Sequence, residues 1–458
     1  MRSLFYKISF LLVIQVLVLS NLAFSQKKET LFDGKTLKGW KVLAGKAEFS
    51  VDKGVIVGKA VPNSGNTFLV TEKEYGDFVL ELDVKMESAL GNSGIQVRSH
   101  FDSLANKGLG KVFGHQCEID PSTRKWSGGI YDEGRRDWLY PVDLNAGAKE
   151  AFKLGGYNHF RIECIGDEMR TWINGVAVAD VIDTLDKSGF IGLQVHALQS
   201  PEAAGNRVYF KNIRLETLNP EFKPFPKNIY VLDYHPNALS QDEMAAGWKL
   251  LYDGHSPKGW IGATLNTFPS KGWLYADGTL HVLPSEGKEV SGGGDIVTDS
   301  LYSSFDLSFE FKLTPGANSG VKYFVTLSEK TTGSSIGLEY QVLDDELHPD
   351  AKLGRNGDRT LASLYDLIPS NKQKRFIRPI GAWNYGRIVV LPNNKVEHYL
   401  NGIKVLEYVR GSKEYKDLVA LSKYKIWPNF GEAKMGHILL QDHGNEVFFR
   451  SIKIRTLH

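Results

Sequence analysis

The sequence predicts an all-β protein built from two tandem sandwich or jelly-roll domains, and three observations carry that prediction. An ordered set of motifs occurs twice, the best-patterned segments alternate apolar and polar residues with period two, and helical periodicity is almost missing. Short strands separated by Gly, Asn and Asp turns fit a sandwich of roughly 190 residues in each copy.

The repetition can be read directly. Leu31-Phe32-Asp33-Gly34 with Gly39-Trp40 returns as Leu251-Tyr252-Asp253-Gly254 with Gly259-Trp260. Asn92-Ser93-Gly94 returns as Asn318-Ser319-Gly320, Gly129-Ile130-Tyr131-Asp132 as Ser363-Leu364-Tyr365-Asp366, and Tyr157-Asn158 as Trp383-Asn384. Trp172-Ile173-Asn174-Gly175 matches Tyr399-Leu400-Asn401-Gly402, and Leu193-Gln194-Val195-His196 matches Leu440-Gln441-Asp442-His443, all in the same order.

From the N-terminus, Arg2 and Lys7 precede an apolar run from Ile8 to Leu19, and Ala23-Phe24-Ser25 supplies small residues before a cut at Gln26. Residues 1–25 therefore read as a signal peptide, and the mature protein as periplasmic or secreted. Residues 26–217 form the first copy. Within it Phe78-Val79-Leu80-Glu81-Leu82-Asp83-Val84 alternates as a half-buried strand, and Asn174-Gly175 suits a tight hairpin turn in which both central residues take positive φ. Cys117 and Cys164 lie in apolar runs and read as free core thiols. Pro220, Pro224, Pro226 and Pro236 break regular structure over a linker of residues 218–240. The second copy, residues 241–458, opens on a capping box, Ser240-Gln241-Asp242-Glu243, and contains the alternating strand Phe305–Leu313 and a second turn at Asn401-Gly402.

Charge excludes whole classes of partner. Lys plus Arg total 55 against 53 acidic residues, and Arg2 and Lys7 of the leader account for the whole formal charge of +2. A neutral mature chain lacks the basic footprint that nucleic acid or anionic lipid would require. No membrane insertion is expected once the leader is removed, because no later run is long and apolar enough to span a bilayer.

One strand in each copy has an unusual polar face. Gln116, Glu118 and Asp120 alternate with Cys117 and Ile119, while Glu339 and Gln341 alternate with Tyr340 and Val342. The face is kept while acid and amide change places. A solvated outer strand is the simplest reading of one such pattern, and its recurrence points to a site. Glu118-Ile119-Asp120 resembles the acidic strand of jelly-roll glycosidases, but Ser122 and Thr123 stand where the further Glu of a retaining mechanism would be needed. Further candidates are Arg98 after Asn-Ser-Gly with Lys322 at the comparable place, Tyr131 with Arg135, Tyr365, Asp344, His348, and the paired Gln194/His196 and Gln441/His443. Histidine titrates near neutrality and suits a base or a metal ligand. Compact metal-binding motifs are missing, so a divalent metal ion enters only as an ion held by scattered carboxylates and His.

In this order the motifs resemble the 3-keto-disaccharide hydrolase family. The resemblance rests on Leu31 to Trp40, Asn-Ser-Gly, Gly337-Leu338-Glu339-Tyr340-Gln341-Val342-Leu343-Asp344, Trp383-Asn384, Leu400-Asn401-Gly402 and Leu440-Gln441-Asp442-His443-Gly444, and it covers both copies. It implies concanavalin-like jelly rolls and an enzyme acting on 3-keto-glycosides, with a 3-keto-glucoside as the carbohydrate substrate. A ketone at C3 acidifies the C2 hydrogen, so one base removes it and the glycosidic oxygen leaves C1, with water able to add afterwards. Such chemistry needs a base and a positive group near the enolate oxygen. The catalytic expectation is Glu339, His443 and Lys322 in the second copy, with Glu118 and His196 in the first. Gln341, Asp344, His348, Tyr365, Gln441, Arg98, Gln116, Asp120, Tyr131 and Arg135 are expected around substrate. The alternative is a carbohydrate-binding protein without catalysis on the same sandwich.

Overall fold

The structure, a computed structural model, describes residues 28–198, 200–285, 293–331 and 334–458; the leader lies outside the described residues. The protein is all-β, with two sheets facing each other in each copy. In the first copy a larger sheet runs in spatial order through Leu232–Asp233, Val176–Ile182, Glu168–Ile173, Tyr157–Ile165, Phe78–Met86, Arg207–Glu216, Val55–Lys59 and Glu48–Asp52. Its partner runs through Asp137–Tyr140, Ile130–Glu133, Lys111–Ile119, Ser93–Asp102, Gly189–Val195, Thr67–Tyr75 and Trp40–Ala44. The second copy repeats the plan. Phe305–Leu313 lies between Val447–Thr456 and Trp383–Val390 in the larger sheet, and Asn318–Val325 lies between His437–Leu440 and Leu338–Leu343 in the smaller.

Alternation fills the space between the sheets. Leu80, Leu82, Phe160 and Phe210 from one sheet meet Ile95, Cys117 and Leu193 from the other in a single buried cluster. Both cysteines are free and buried, as their apolar neighbours suggest. Each copy also pairs an early short strand with its last: Glu29–Thr30 with Arg207–Glu216, and Lys249–Leu250 with Val447–Thr456. Asn174 and Gly175 take φ of 51° and 82°, and Asn401 and Gly402 take 48° and 82°, as the turn geometry demands.

Three details depart from expectation. Phe305–Leu313 is buried on both faces rather than one, because Arg387 and Arg455 bond Asp306 and Arg450 bonds Glu310 over its polar side. The linker is not wholly irregular: between Pro226 and Pro236, Leu232–Asp233 adds a parallel strand beside Val181 and Ile182. A nine-residue helix, Lys413–Leu421, capped by Ser412, interrupts the second copy where the first has a short loop. The predicted capping box does form, over the helix Gln241–Ala245.

The copies touch along the Asp137–Tyr140 edge. Tyr140 donates to the carbonyl of Tyr230 at 2.9 Å, Tyr230 bonds Tyr385 through their hydroxyls, and Arg378 donates to the carbonyl of Arg136 at 2.6 Å. Lys453 and Glu243 form a buried ion pair beside this seam. No described helix is long and apolar enough to cross a membrane.

Candidate functional site

In each copy the smaller sheet turns a polar face away from the core, and cross-strand register fixes who meets whom. Lys322 pairs with Glu339 and Gly320 with Gln341; in the first copy Gln96 pairs with Gln116 and Gly94 with Glu118. The counterpart of Lys322 is therefore Gln96, not Arg98. Ser93-Gly94 and Ser319-Gly320 lie inside strands rather than turns. Glycine leaves the room these side chains occupy: a Cβ on Gly94 would displace the Gln116 side chain, and one on Gly320 would displace the Glu339 carboxylate. Both long side chains lie flat across a bare backbone.

In the second copy Glu339 is buried, and burial pushes its carboxyl pKa up, opposed by the charges of Lys322, Lys423 and His443. It accepts no hydrogen bond among the described residues. The Lys322 ammonium donates to the Ser335 carbonyl at 3.1 Å and stands 4.0 Å from Asp295. Lys423, which sequence reading missed, comes from the turn after the inserted helix. Its backbone N–H donates to Asp366 at 2.8 Å, Asp366 in turn pairs with Arg359 at 2.7 Å, and its ammonium sits 4.3 Å over the Tyr365 ring. Enclosure lowers the Lys423 pKa, as do Lys322 and Arg359, while Glu339 opposes this.

Tyr365 donates to Asp350 at 2.8 Å, and burial followed by the charge of Glu339 raises its pKa. His348 and His443 meet edge to face with ring centroids 5.9 Å apart. Burial, then the His443 charge, lowers the His348 pKa. The structure thus brings Glu339, Lys322, Tyr365, His348, His443, Gln341 and Gln441 to one face. Asp344 departs from expectation: its carboxylate accepts the backbone N–H groups of Gly316, Glu346 and Leu347 and braces the loop.

The first copy wires the same face differently. Glu118 accepts from Asn92 at 2.6 Å and Gln116 at 2.9 Å, Gln116 accepts from Gln96 at 2.5 Å, and Gln96 accepts from Ser99 at 2.7 Å. Burial raises the Glu118 pKa to about 7 against these two donors. Tyr131 donates to Asp137 at 2.7 Å. Asp120 is taken up by Arg124 at 2.7 Å, and Gln194 donates to Glu133 at 3.3 Å. His196 bonds the Ala197 carbonyl at 2.7 Å, and burial lowers its pKa.

Two first-copy candidates belong elsewhere. A register shift between Val97 and His100 and a φ of 47° turn Arg98 out of the row, and it is buried donating to the carbonyls of Gly76 and Gly166 and to Asp77. Arg135 pairs with Asp132 and Asp186 in an ionic knot around His115, which also meets Asp183 at 2.8 Å. The one group of three carboxylates close enough to share a metal among the described residues is Glu168, Asp180 and Asp242. It lies on the larger sheet of the first copy and the helix Gln241–Ala245, with Arg170 ion-paired to all three.

Among the tryptophans that lie beside glycines or charged residues, where a ring could stack on a sugar, Trp126, Trp138, Trp260 and Trp273 are buried, and Trp383 is half-buried with Lys312 and Arg450 over its ring. Asn92, Asn318, Lys423 and Gln96 belong to these faces without a role that the sequence pattern assigns them. The first two stood in plain view in the repeated Asn-Ser-Gly, whereas nothing periodic marks Lys423.

The model of the 3-keto-alpha-glucoside-1,2-lyase-like domain matches residues 27–216 and again residues 247–455. A protein of Bacteroides thetaiotaomicron named 3-keto-disaccharide hydrolase is 37% identical over 234 residues, covering 46% of this chain and 79% of the relative. A crystal structure from Parabacteroides distasonis ATCC 8503, described as a candidate glycosyl hydrolase, is 28% identical and covers 49% of this chain and 100% of its own, with a TM-score of 0.42. A second from the same organism, described likewise, is 26% identical and covers 46% and 99%, with a TM-score of 0.35.

Proposed function

The chain belongs to the 3-keto-alpha-glucoside-1,2-lyase-like family, with the family's domain present twice, and from that premise we propose that its second copy cleaves the glycosidic bond of 3-keto-glycosides. The observation that carries this reading is a buried carboxylate, Glu339, that accepts no hydrogen bond among the described residues and lies in register with Lys322. A carboxylate of raised pKa with its lone pairs available is suited to take a carbon-bound proton. Glu339 removes the C2 hydrogen as a proton, and the C–H electron pair moves into an enolate whose oxygen is the former C3 ketone. Lys322 and Lys423 face that oxygen and stabilise its charge. The enolate then expels the C1 oxygen, which takes a proton from His443, leaving an unsaturated 3-keto sugar to which water can add.

A neutral exported chain and a carbohydrate substrate accord with this reading, and the segment of residues 1–25 is its export signal. The test is aglycone release from a 3-keto-glucoside by the purified full chain. Glu339→Gln should lower kcat by 10²–10⁴, the usual contribution of a positioned base. Release should persist in chelator, because Lys322 supplies the positive charge. Turnover within threefold of wild type in Glu339→Gln would refute the assignment.

A further inference from the structure

The first copy keeps the frame of the second but reverses the chemistry of its polar face. Where the second has the charged neighbours Lys322 and Glu339, the first has the neutral amides Gln96 and Gln116. Where the second has Gln341, the first has Glu118. The carboxylate is no longer available as a base, since Asn92 and Gln116 each donate to one of its oxygens. The neighbouring cation, Arg124, is bonded to Asp120 and stacked 4.5 Å over the Trp126 ring.

What this face offers in place of a free base is a set of acceptors beside the amides. Asn92 turns its amide N–H to Glu118 and Gln194 turns its own to Glu133, which leaves both side-chain oxygens buried without a hydrogen-bond partner. Gln194 is wholly buried. The two carboxylates fix these amide orientations, because the flipped amides would set oxygen against oxygen. With its Nδ1–H turned to the Ala197 carbonyl, neutral His196 offers Nε2 as a further acceptor. Glu118, Gly94 and Gln194 form one cross-strand row, and Asn92 and His196 lie in the next, so these acceptors sit on adjoining strands of a single face.

The second copy leaves the same pair of oxygens unpartnered, on Asn318 and Gln441. Buried acceptors without donors are rare in folded proteins, and here they recur at matched positions. They suit hydroxyl groups common to both ligands. Of the differing positions, Glu118 alone gives the first copy acceptor capacity to spare, because each of its oxygens takes one donor while the Gln96 and Gln116 oxygens already accept from Ser99 and Gln96; it suits a C3 hydroxyl, whereas the ammonium groups of the second copy suit a ketone oxygen.

We propose that the first copy is a separate, non-catalytic sugar site that binds the unoxidised glycoside, the 3-hydroxy counterpart of the substrate assigned to the second copy. This rests on the reading of the second copy as the keto-sugar site, and the experiment separates the two. Titration calorimetry of the full chain with methyl α-glucoside, which cannot undergo the elimination, should reveal one binding site per chain. Its affinity should change less than twofold in Glu339→Gln, and methyl 3-keto-α-glucoside should bind this site at least fivefold more weakly.

The double variant Asn92→Ala/Gln194→Ala should lose at least tenfold in affinity for methyl α-glucoside. The isosteric Glu118→Gln, which keeps the side-chain shape, should weaken binding in the same direction. Absence of methyl α-glucoside binding to the wild-type chain would overturn the proposal, as would equal affinity for the two sugars at this site. Loss of glycoside binding in Glu339→Gln, with retention in the first-copy variants, would place the glycoside in the second copy and overturn it too. Failure of the catalytic reading would show instead as unchanged 3-keto-glucoside turnover in Glu339→Gln.

Discussion

Replacing Glu118 by Gln should make the first copy more stable at alkaline pH and leave it nearly unchanged at acid pH. Burial raises the Glu118 pKa from an ordinary 4.5 to about 7. A carboxyl group with a raised pKa is a burden on the fold once ionised, because the folded state then gives up its proton less readily than the unfolded one. The sign follows: the folded form holds more protons between the two values, so stability falls as pH rises from about 4.5 through about 7 and is level beyond. At about 1.4 kcal/mol per pH unit, the full span is about 3 kcal/mol between pH 4 and pH 9.

The Glu118→Gln substitution would remove that dependence at little structural cost. One end of the new amide must face a donor's N–H with its own, and Asn92 can turn its unpartnered oxygen towards it. Other groups titrate in the same interval, notably His115, whose pKa burial lowers but Asp183 and Asp186 raise on balance. Their contribution is common to both proteins. The assay is urea unfolding followed by tryptophan fluorescence at several pH values, comparing the midpoint of the first-copy transition in wild type and Glu118→Gln. A difference that stays constant from pH 4 to pH 9 would refute the account of Glu118 as a buried, ionising carboxylate.

Three further outcomes follow from the polar faces. The acid limb of turnover should lie above the ordinary carboxylate range, because Glu339 must be ionised to act and burial raises its pKa; kcat measured against pH checks this, and a limb at or below pH 4.5 counts against Glu339 as base. Gly320→Ala should lower turnover more than tenfold by pushing the Glu339 carboxylate off the strand, while Gly94→Ala should displace Gln116 and weaken methyl α-glucoside binding. Steady-state kinetics and calorimetry on the two variants would reveal a crossed or absent effect.

The parts of the fold that could be read from sequence are those set by local chemistry. Asn-Gly pairs dictate hairpin turns, Ser240 and Glu243 dictate a cap, and alternation dictates which side of Phe78–Met86 enters the core. What escaped depends on distant partners. Arg98 has the right type and spacing for a site, but a bulge and acceptors as remote as Gly166 commit it to structure. Arg135 is spent on Asp186, which follows it by 51 residues. Lys423 arrives on an insertion that has no counterpart in the first copy, so comparing the copies with each other could not expose it.

Recurrence itself carries a different meaning once the bonds are seen. Ser93 and Ser319 donate to the carbonyls of Gln194 and Gln441 at 2.6 and 2.7 Å, and Trp40 and Trp260 donate to the carbonyls of Leu31 and Leu251 at 2.8 and 2.6 Å. Asn174 donates to Asn158 at 2.9 Å, and Asn401 to Asn384 at 2.8 Å. The motifs that advertise the duplication are thus mostly the fastenings of the sandwich, which must be kept in both copies whatever each binds. Chemistry resides in the positions between them, where a strand face tolerates exchange because its neighbours across the sheet can exchange with it: Lys322 and Glu339 for Gln96 and Gln116, Gln341 for Glu118. Each face keeps one buried carboxylate, Glu339 in the second copy and Glu118 in the first, while the residues around it change, so a duplicated frame holds a charged face in one copy and an acceptor-lined face in the other.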